Sequence, residues 1–141
     1  MSNPLGDGLS ALLVEDDDIA SHFAQVVCRK HATTLTRVSA ALDAMKALST
    51  RRVDLMVLDH QLGGVSGLQL IDAARGDLER TEIIVMTASR DPALKAQYEA
   101  RGVRLFLNKP LTLDALEFAV AAVVTRIQRE RAKWRSRASG E

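Results

Sequence analysis

The sequence predicts an α/β fold: a doubly wound, five-stranded parallel sheet with helices on both faces. Three observations predict it. Short apolar runs alternate with segments of helical period five times along the chain. The runs are continuous rather than apolar-polar alternating, the pattern of strands buried on both faces. The length, 141 residues, suits one domain with one such sheet.

The elements follow in order. Leu9 to Val14 is an apolar run that stops at Glu15-Asp16-Asp17-Asp18. Ile19, Phe23, Val26 and Val27 then recur at helical spacing, with Asp17 or Asp18 as the cap. Thr33 to Val38 is β-branched and reads as a strand. Ser39 is placed to cap a helix whose inner face is Ala41, Met45 and Leu48. The third run, Val53 to Leu58, ends at Asp59, and a loop from Gly63 to Gly67 leads to a helix bearing Leu70, Ile71 and Ala74. Ile83 to Met86 is the fourth strand, and Asp91-Pro92 opens a helix with proline at its first position and Leu94 and Tyr98 on its apolar face. Val103 to Leu107 is the fifth strand. The last helix starts near Thr112, with Leu116, Val120, Val123 and Ile127 in one stripe. Parallel strands alternating with helices wind this way because each crossover must pack back onto the sheet.

Composition narrows the function. The net charge is +1, but residues 126–141 hold six basic side chains against two acidic ones, a balance of +4, which leaves −3 on residues 1–125. The division is therefore a short N-terminal tail (1–8), a body (9–125) and a basic extension of the last helix (126–141). Cys28 is the one cysteine, so no internal disulfide forms, and in an apolar stretch it reads as inert packing. His22, His31 and His60 lack metal-ligand spacing. There is no secretory leader pattern, and the longest nearly apolar run, Ala115 to Val124, is about half of a ~20-residue membrane span. The expectation is a cytoplasmic protein with no membrane partner.

Ligands of open α/β sheets gather beyond the carboxyl ends of the strands. There this sequence places Glu15 and Asp16, Asp59, Thr87, and Lys109 followed by Pro110. Clustered carboxylates repel unless a cation joins them, and Mg²⁺ takes oxygen ligands of this kind, leaving the ammonium and hydroxyl for a phosphoryl group. Leu-Leu-Val-Glu-Asp-Asp (12–17), the stretch 55–68 around Asp59, Ile-Ile-Val-Met-Thr-Ala-Ser (83–89) and Leu-Phe-Leu-Asn-Lys-Pro (105–110) together resemble the response-regulator receiver family of two-component signalling, across residues 9 to 125. The resemblance implies a flavodoxin-like sheet of order 2-1-3-4-5. It also implies Asp59 as phosphoacceptor, with Asp16, Glu15 through water, Asp59 and the Gln61 carbonyl holding Mg²⁺ (Mn²⁺ as the alternative). Thr87 and Lys109 meet the phosphoryl oxygens, Thr87 and Phe106 act as switch residues, and a cis peptide precedes Pro110. Gly63 departs from the family, which usually has proline there.

The implied role is a signalling receiver rather than an enzyme, one that assists its own phosphorylation and dephosphorylation. Its donor is a sensor histidine kinase or phosphotransfer protein and its output a downstream protein. Two alternatives compete. A haloacid-dehalogenase-type phosphatase needs a second aspartate where Gln61 stands. A receiver-like domain that no longer uses phosphate would not need the set Asp16, Asp59, Thr87 and Lys109. The basic extension with Trp134 reads as a contact for a partner or a second copy, since its charges without a nucleic-acid-binding fold give only salt-sensitive affinity.

Overall fold

A computed structural model describes residues 8–140. Within them the chain runs β1 (Ser10–Val14), α1 (Asp18–Cys28), β2 (Thr34–Val38), α2 (Ala41–Thr50), β3 (Leu55–Asp59), β4 (Gln61–Leu62), β5 (Val65–Ser66), α3 (Gly67–Ala73), a 3₁₀ turn (Arg75–Leu78), β6 (Glu82–Thr87), α4 (Pro92–Ala100), β7 (Leu105–Asn108) and α5 (Leu113–Ala138). Five parallel strands among the described residues form the main sheet in the order β2-β1-β3-β6-β7. β6 and β7 are the fourth and fifth strands of the sequence reading, so the order is the expected 2-1-3-4-5. The antiparallel pair β4-β5 is an addition, two residues per strand, folded from the Gly63 loop. Gly63 stands at φ +66°, a left-handed conformation that glycine adopts without a Cβ clash.

The sheet separates two cores. On one face Leu12, Met56, Leu58 and Val85 pack beneath α2, α3 and Tyr98 of α4. On the other, Leu13, Val57, Ile84 and Met86 pack beneath α1 and the Leu116–Val124 stretch of α5. β3 is buried at every position, as a central strand of this sheet must be.

Local signals behave mostly as expected. The Asp17 carboxylate accepts from the Ala20 N–H at 2.7 Å and caps α1. Asp91 caps α4 ahead of Pro92, and Thr112 caps α5. Two expectations are corrected. α1 buries Ser21, Ala24, Val27 and Cys28, whereas Ile19 is 83% exposed and Val26 is also exposed. Small side chains let α1 approach α5 and the sheet closely, so size rather than hydrophobicity chose the inner stripe. Ser39 does not cap α2. The cap position is Ala40, which has no side-chain oxygen to accept a hydrogen bond.

α5 continues unbroken to Ala138. Arg126 bonds Glu82 at 2.7 Å. Arg131 is buried, pairs with buried Asp54 at 2.8 Å and donates to the Gly8 carbonyl at 2.7 Å. The basic run is thus partly an anchor to the amino-terminal end of the sheet. Among the described residues no helix is long and apolar enough to cross a membrane. The tail 1–8 lies outside them except for Gly8.

Candidate functional site

The carboxyl ends of β1, β3, β6 and β7 meet in one open cleft of about 380 Å³ that includes Glu15, Asp16, Asp59, Gln61, Thr87 and Lys109. Parallel register brings them there. Val14 lies beside Leu58, Asp59 beside Met86, and Thr87 beside Asn108, so the residues that follow each strand emerge at one level.

Asp59 is the last residue of β3 and is largely buried. Glu15 is fully buried, Asp16 is exposed at the rim, and one oxygen from each of the three lies within 4.8 Å of the others. Lys109 Nζ donates to Glu15 Oε1 at 3.0 Å and stands 3.4 Å from Asp59 Oδ1. Burial raises Glu15 above the ordinary carboxylate value, and neighbouring Asp59 adds to the rise against the opposing bonds from Lys109 and the Asp17 N–H. Burial also acts against the Lys109 ammonium, but Glu15 and Asp59 outweigh it and hold that lysine above its usual value. Carboxylates this close are costly as anions, the electrostatic reason for a cation among them.

Backbone and neighbours fix the rest. Lys109 N–H donates to the Thr87 carbonyl at 2.8 Å, and the peptide to Pro110 is cis. The Thr87 hydroxyl accepts from the Ser89 N–H at 3.1 Å, while Asn108 Nδ2 holds the Ser89 carbonyl at 2.6 Å. Arg37, from the end of β2, donates through Nε and Nη2 to the Glu15 carbonyl at 3.0 and 2.8 Å and through Nη1 to Asp18 at 3.1 Å. Sequence reasoning missed Arg37 and Asn108. No spacing marks either, because each acts on a main-chain group brought near by the sheet. Gln61 lies in the cleft wall. Phe106 does not line the cleft; it is half-buried on β7, its ring 5.6 Å from that of Tyr98.

The donor set is oxygen only, compact and anionic, with an ammonium opposite. It fits a hard divalent cation such as Mg²⁺ together with an oxyanion. Residues 11–121 match the family model described as the response regulator receiver domain. The chain belongs to that family. This receiver is 33% identical over 123 residues to the sensor histidine kinase AruS of Pseudomonas aeruginosa, covering 84% of this chain and 12% of that protein. It is 29% identical over 118 residues to the heme response regulator HssR of Staphylococcus saprophyticus, covering 83% of this chain and 52% of that one. The receiver therefore spans about half or less of these relatives. Among solved structures, it superposes on the signal receiver domain of a LuxO repressor protein from Vibrio parahaemolyticus with TM-score 0.79 at 25% identity, covering 87% of this chain and 95% of that one. The chemotaxis regulator CheY4 of Vibrio cholerae shares the fold, with TM-score 0.74 at 19% identity over 82% of this chain and 98% of that one. The receiver is a signalling module of two-component systems, in a family that works between kinases and effectors.

Proposed function

We propose that this receiver accepts a phosphoryl group on Asp59 in a Mg²⁺-dependent reaction and that the modified state switches a protein-interaction face. The observation that carries the reading is Lys109 Nζ poised 3.0 Å from Glu15 and 3.4 Å from Asp59 at the mouth of the acidic cleft. An Asp59 carboxylate oxygen bonds to the phosphorus as the donor's bond to it breaks (P–N in a phosphohistidine, P–O in acetyl phosphate), the imidazole or acetate leaves with the electron pair, and Asp59 becomes the covalent acceptor. Lys109 moves from Asp59 toward the incoming phosphoryl oxygens and offsets their charge. The Thr87 hydroxyl turns from its Ser89 partner to a second phosphoryl oxygen. Asp16, Asp59 and the Gln61 carbonyl, with Glu15 acting through water, would hold Mg²⁺, which would neutralise the charge of the transferring group. Arg37 keeps the Glu15 main chain in place while this happens.

The donor is a phosphohistidine on a sensor histidine kinase or phosphotransfer protein. A donor histidine that reaches Asp59 sets its helix against the rim of the cleft. There Ile19, Ala20, Phe23, Pro110 and Leu111 line an apolar groove beside Lys109. Output leaves by the face of α4, β7 and α5, with Thr87 and Phe106 as its switch. Exposed Trp134 on the α5 extension adds a contact for a partner or a second copy. The phosphatase alternative lacks support: Gln61 occupies the position of its second aspartate.

Intact mass after incubation with acetyl phosphate and Mg²⁺ tests the reading. One phosphoryl group is expected on the wild type and none on Asp59→Asn or in EDTA. Labelling that survives either change refutes it.

A further inference from the structure

Tyr98 of α4 is fully buried, and its hydroxyl lies 2.6 Å from His60 Nδ1. The two rings meet edge to face, centroids 5.6 Å apart at 81°. The phenol ring also packs against Phe106, centroids 5.6 Å apart. The seat is fitted to this side chain. A Cβ on Gly67 would collide with the Tyr98 hydroxyl and press on Leu58 Cδ2 at 3.1 Å, so glycine at the start of α3 is what admits it. His60 is held in turn by its main chain: its N–H donates to the Met86 carbonyl at 2.9 Å, and its carbonyl accepts from the Gly67 N–H at 2.7 Å. His60 is the residue between Asp59 and Gln61. Burial raises the Tyr98 hydroxyl above its ordinary value, a hydrogen bond from the Leu68 main chain opposes the rise and Asp59 adds to it.

We propose that the Tyr98–His60 hydrogen bond couples Asp59 to α4: the state of Asp59 reaches α4 through His60, without Tyr98 taking part in the phosphorylation of Asp59 itself. The inference rests on the reading of Asp59 as phosphoacceptor. A ligand shifts a conformational equilibrium only through contacts that differ between the two states. The phosphoryl group arrives one residue from half-buried His60, and loss of this hydrogen bond would leave the buried Tyr98 hydroxyl with the Leu68 main chain as its partner. Such a contact has two discrete conditions. Phe106 rests on the same ring, its centroid 5.6 Å from that of Tyr98.

The test uses the full chain with Mg²⁺, with and without beryllofluoride as phosphoryl mimic, and reads hydrogen exchange at the amides of residues 93–100. In the wild type the mimic changes α4 exchange at least five-fold. Tyr98→Phe keeps the ring and removes the hydroxyl. In it and in His60→Leu the response falls below two-fold, while acetyl phosphate still labels Asp59 within two-fold of wild type. His60→Asn, which returns a polar atom near the Nδ1 position, restores most of the response. A Tyr98→Phe response equal to wild type overturns the coupling, as does a labelled wild type whose α4 exchange is unchanged. If His60→Leu fails to fold, Tyr98→Phe alone decides. A wild type that takes no label overturns the phosphoacceptor reading and this inference with it.

Discussion

Arg131→Ala should destabilise the domain by about 3 kcal/mol, the lower end of the range for breaking a buried ion pair from one side. Both partners are inside: the Arg131 side chain is 8% exposed and that of Asp54 5%. Removing the guanidinium strips Asp54 of its 2.8 Å partner and the Gly8 carbonyl of its 2.7 Å donor. The loss stays at the low end because Asp54 keeps the Ser10 N–H at 2.9 Å and Arg52 Nε at 3.0 Å, the latter half in solvent. Urea unfolding followed by circular dichroism reads it directly. With a slope of about 1.5 kcal/mol/M for a domain of this size, the midpoint should fall by about 2 M. Asp54→Asn, which keeps an acceptor for Ser10, should lose less than Asp54→Ala. A midpoint shift under ~0.5 M for Arg131→Ala would mean that the α5 extension is held by something other than this pair. Cutting after Thr125 removes Arg126 and Arg131 and should destabilise the body, whereas cutting after Ala132 removes Trp134 alone of the large apolar groups. The second cut should weaken self-association or partner binding, measured by sedimentation, with phosphorylation unchanged.

Four further outcomes are expected. Lys109→Ala should slow labelling by acetyl phosphate ~100-fold, the scale seen when one donor to a developing oxyanion is removed, in the same intact-mass assay. Arg37→Ala should weaken Mn²⁺ binding, followed by electron paramagnetic resonance, because the Glu15 main chain loses both of its Arg37 bonds; Arg37→Lys should recover part of it. Ile19→Asp should impair transfer from a phosphorylated protein donor by at least ten-fold while leaving acetyl phosphate labelling within two-fold; equal loss with both donors would place Ile19 in the fold rather than in docking. Cys28, whose thiol burial raises to about 11, should resist iodoacetamide at pH 8 in the folded protein and react fully in urea.

Much of the architecture was legible because its signals are local. Apolar runs without alternation marked β1, β3 and β6, and Asp17, Asp91 and Thr112 announced helix starts by side chains that bond within three residues. The candidate site was legible for a related reason: its groups sit at the end of a strand (Asp59, Thr87) or directly after one (Glu15, Asp16, Lys109), and parallel topology does the assembling. What escaped notice depends on packing across long separations. Hydrophobicity alone ranks Ile19 above Ser21, but the spacing between α1 and α5 favours the smaller side chain. Asp54 lies within an apolar run, and its partner Arg131 is 77 positions away, past any periodicity. The one visible hint was the charge itself, at a place where a strand had no use for it. His60 and Tyr98 likewise look ordinary in sequence, a polar residue after the acceptor and an apolar helix position, until the fold brings Nδ1 to the phenol.

The Arg131 anchor also determines how displacement is distributed along α5. Taken as a rigid rod of about 39 Å pivoting at Arg131, the helix would have one arm of roughly 27 Å to Leu113 and one of about 10 Å to Ala138 at 1.5 Å per residue. A tilt of about 5° about that point swings the end beside the cleft by ~2.4 Å and the far end by less than 1 Å. Mechanically the arrangement is a lever with its long arm at the chemistry and its short arm in the tail, so it attenuates movement in that direction. Under such a tilt Trp134, three residues from the pivot, would move least, and the larger displacement would fall at the Leu113 end.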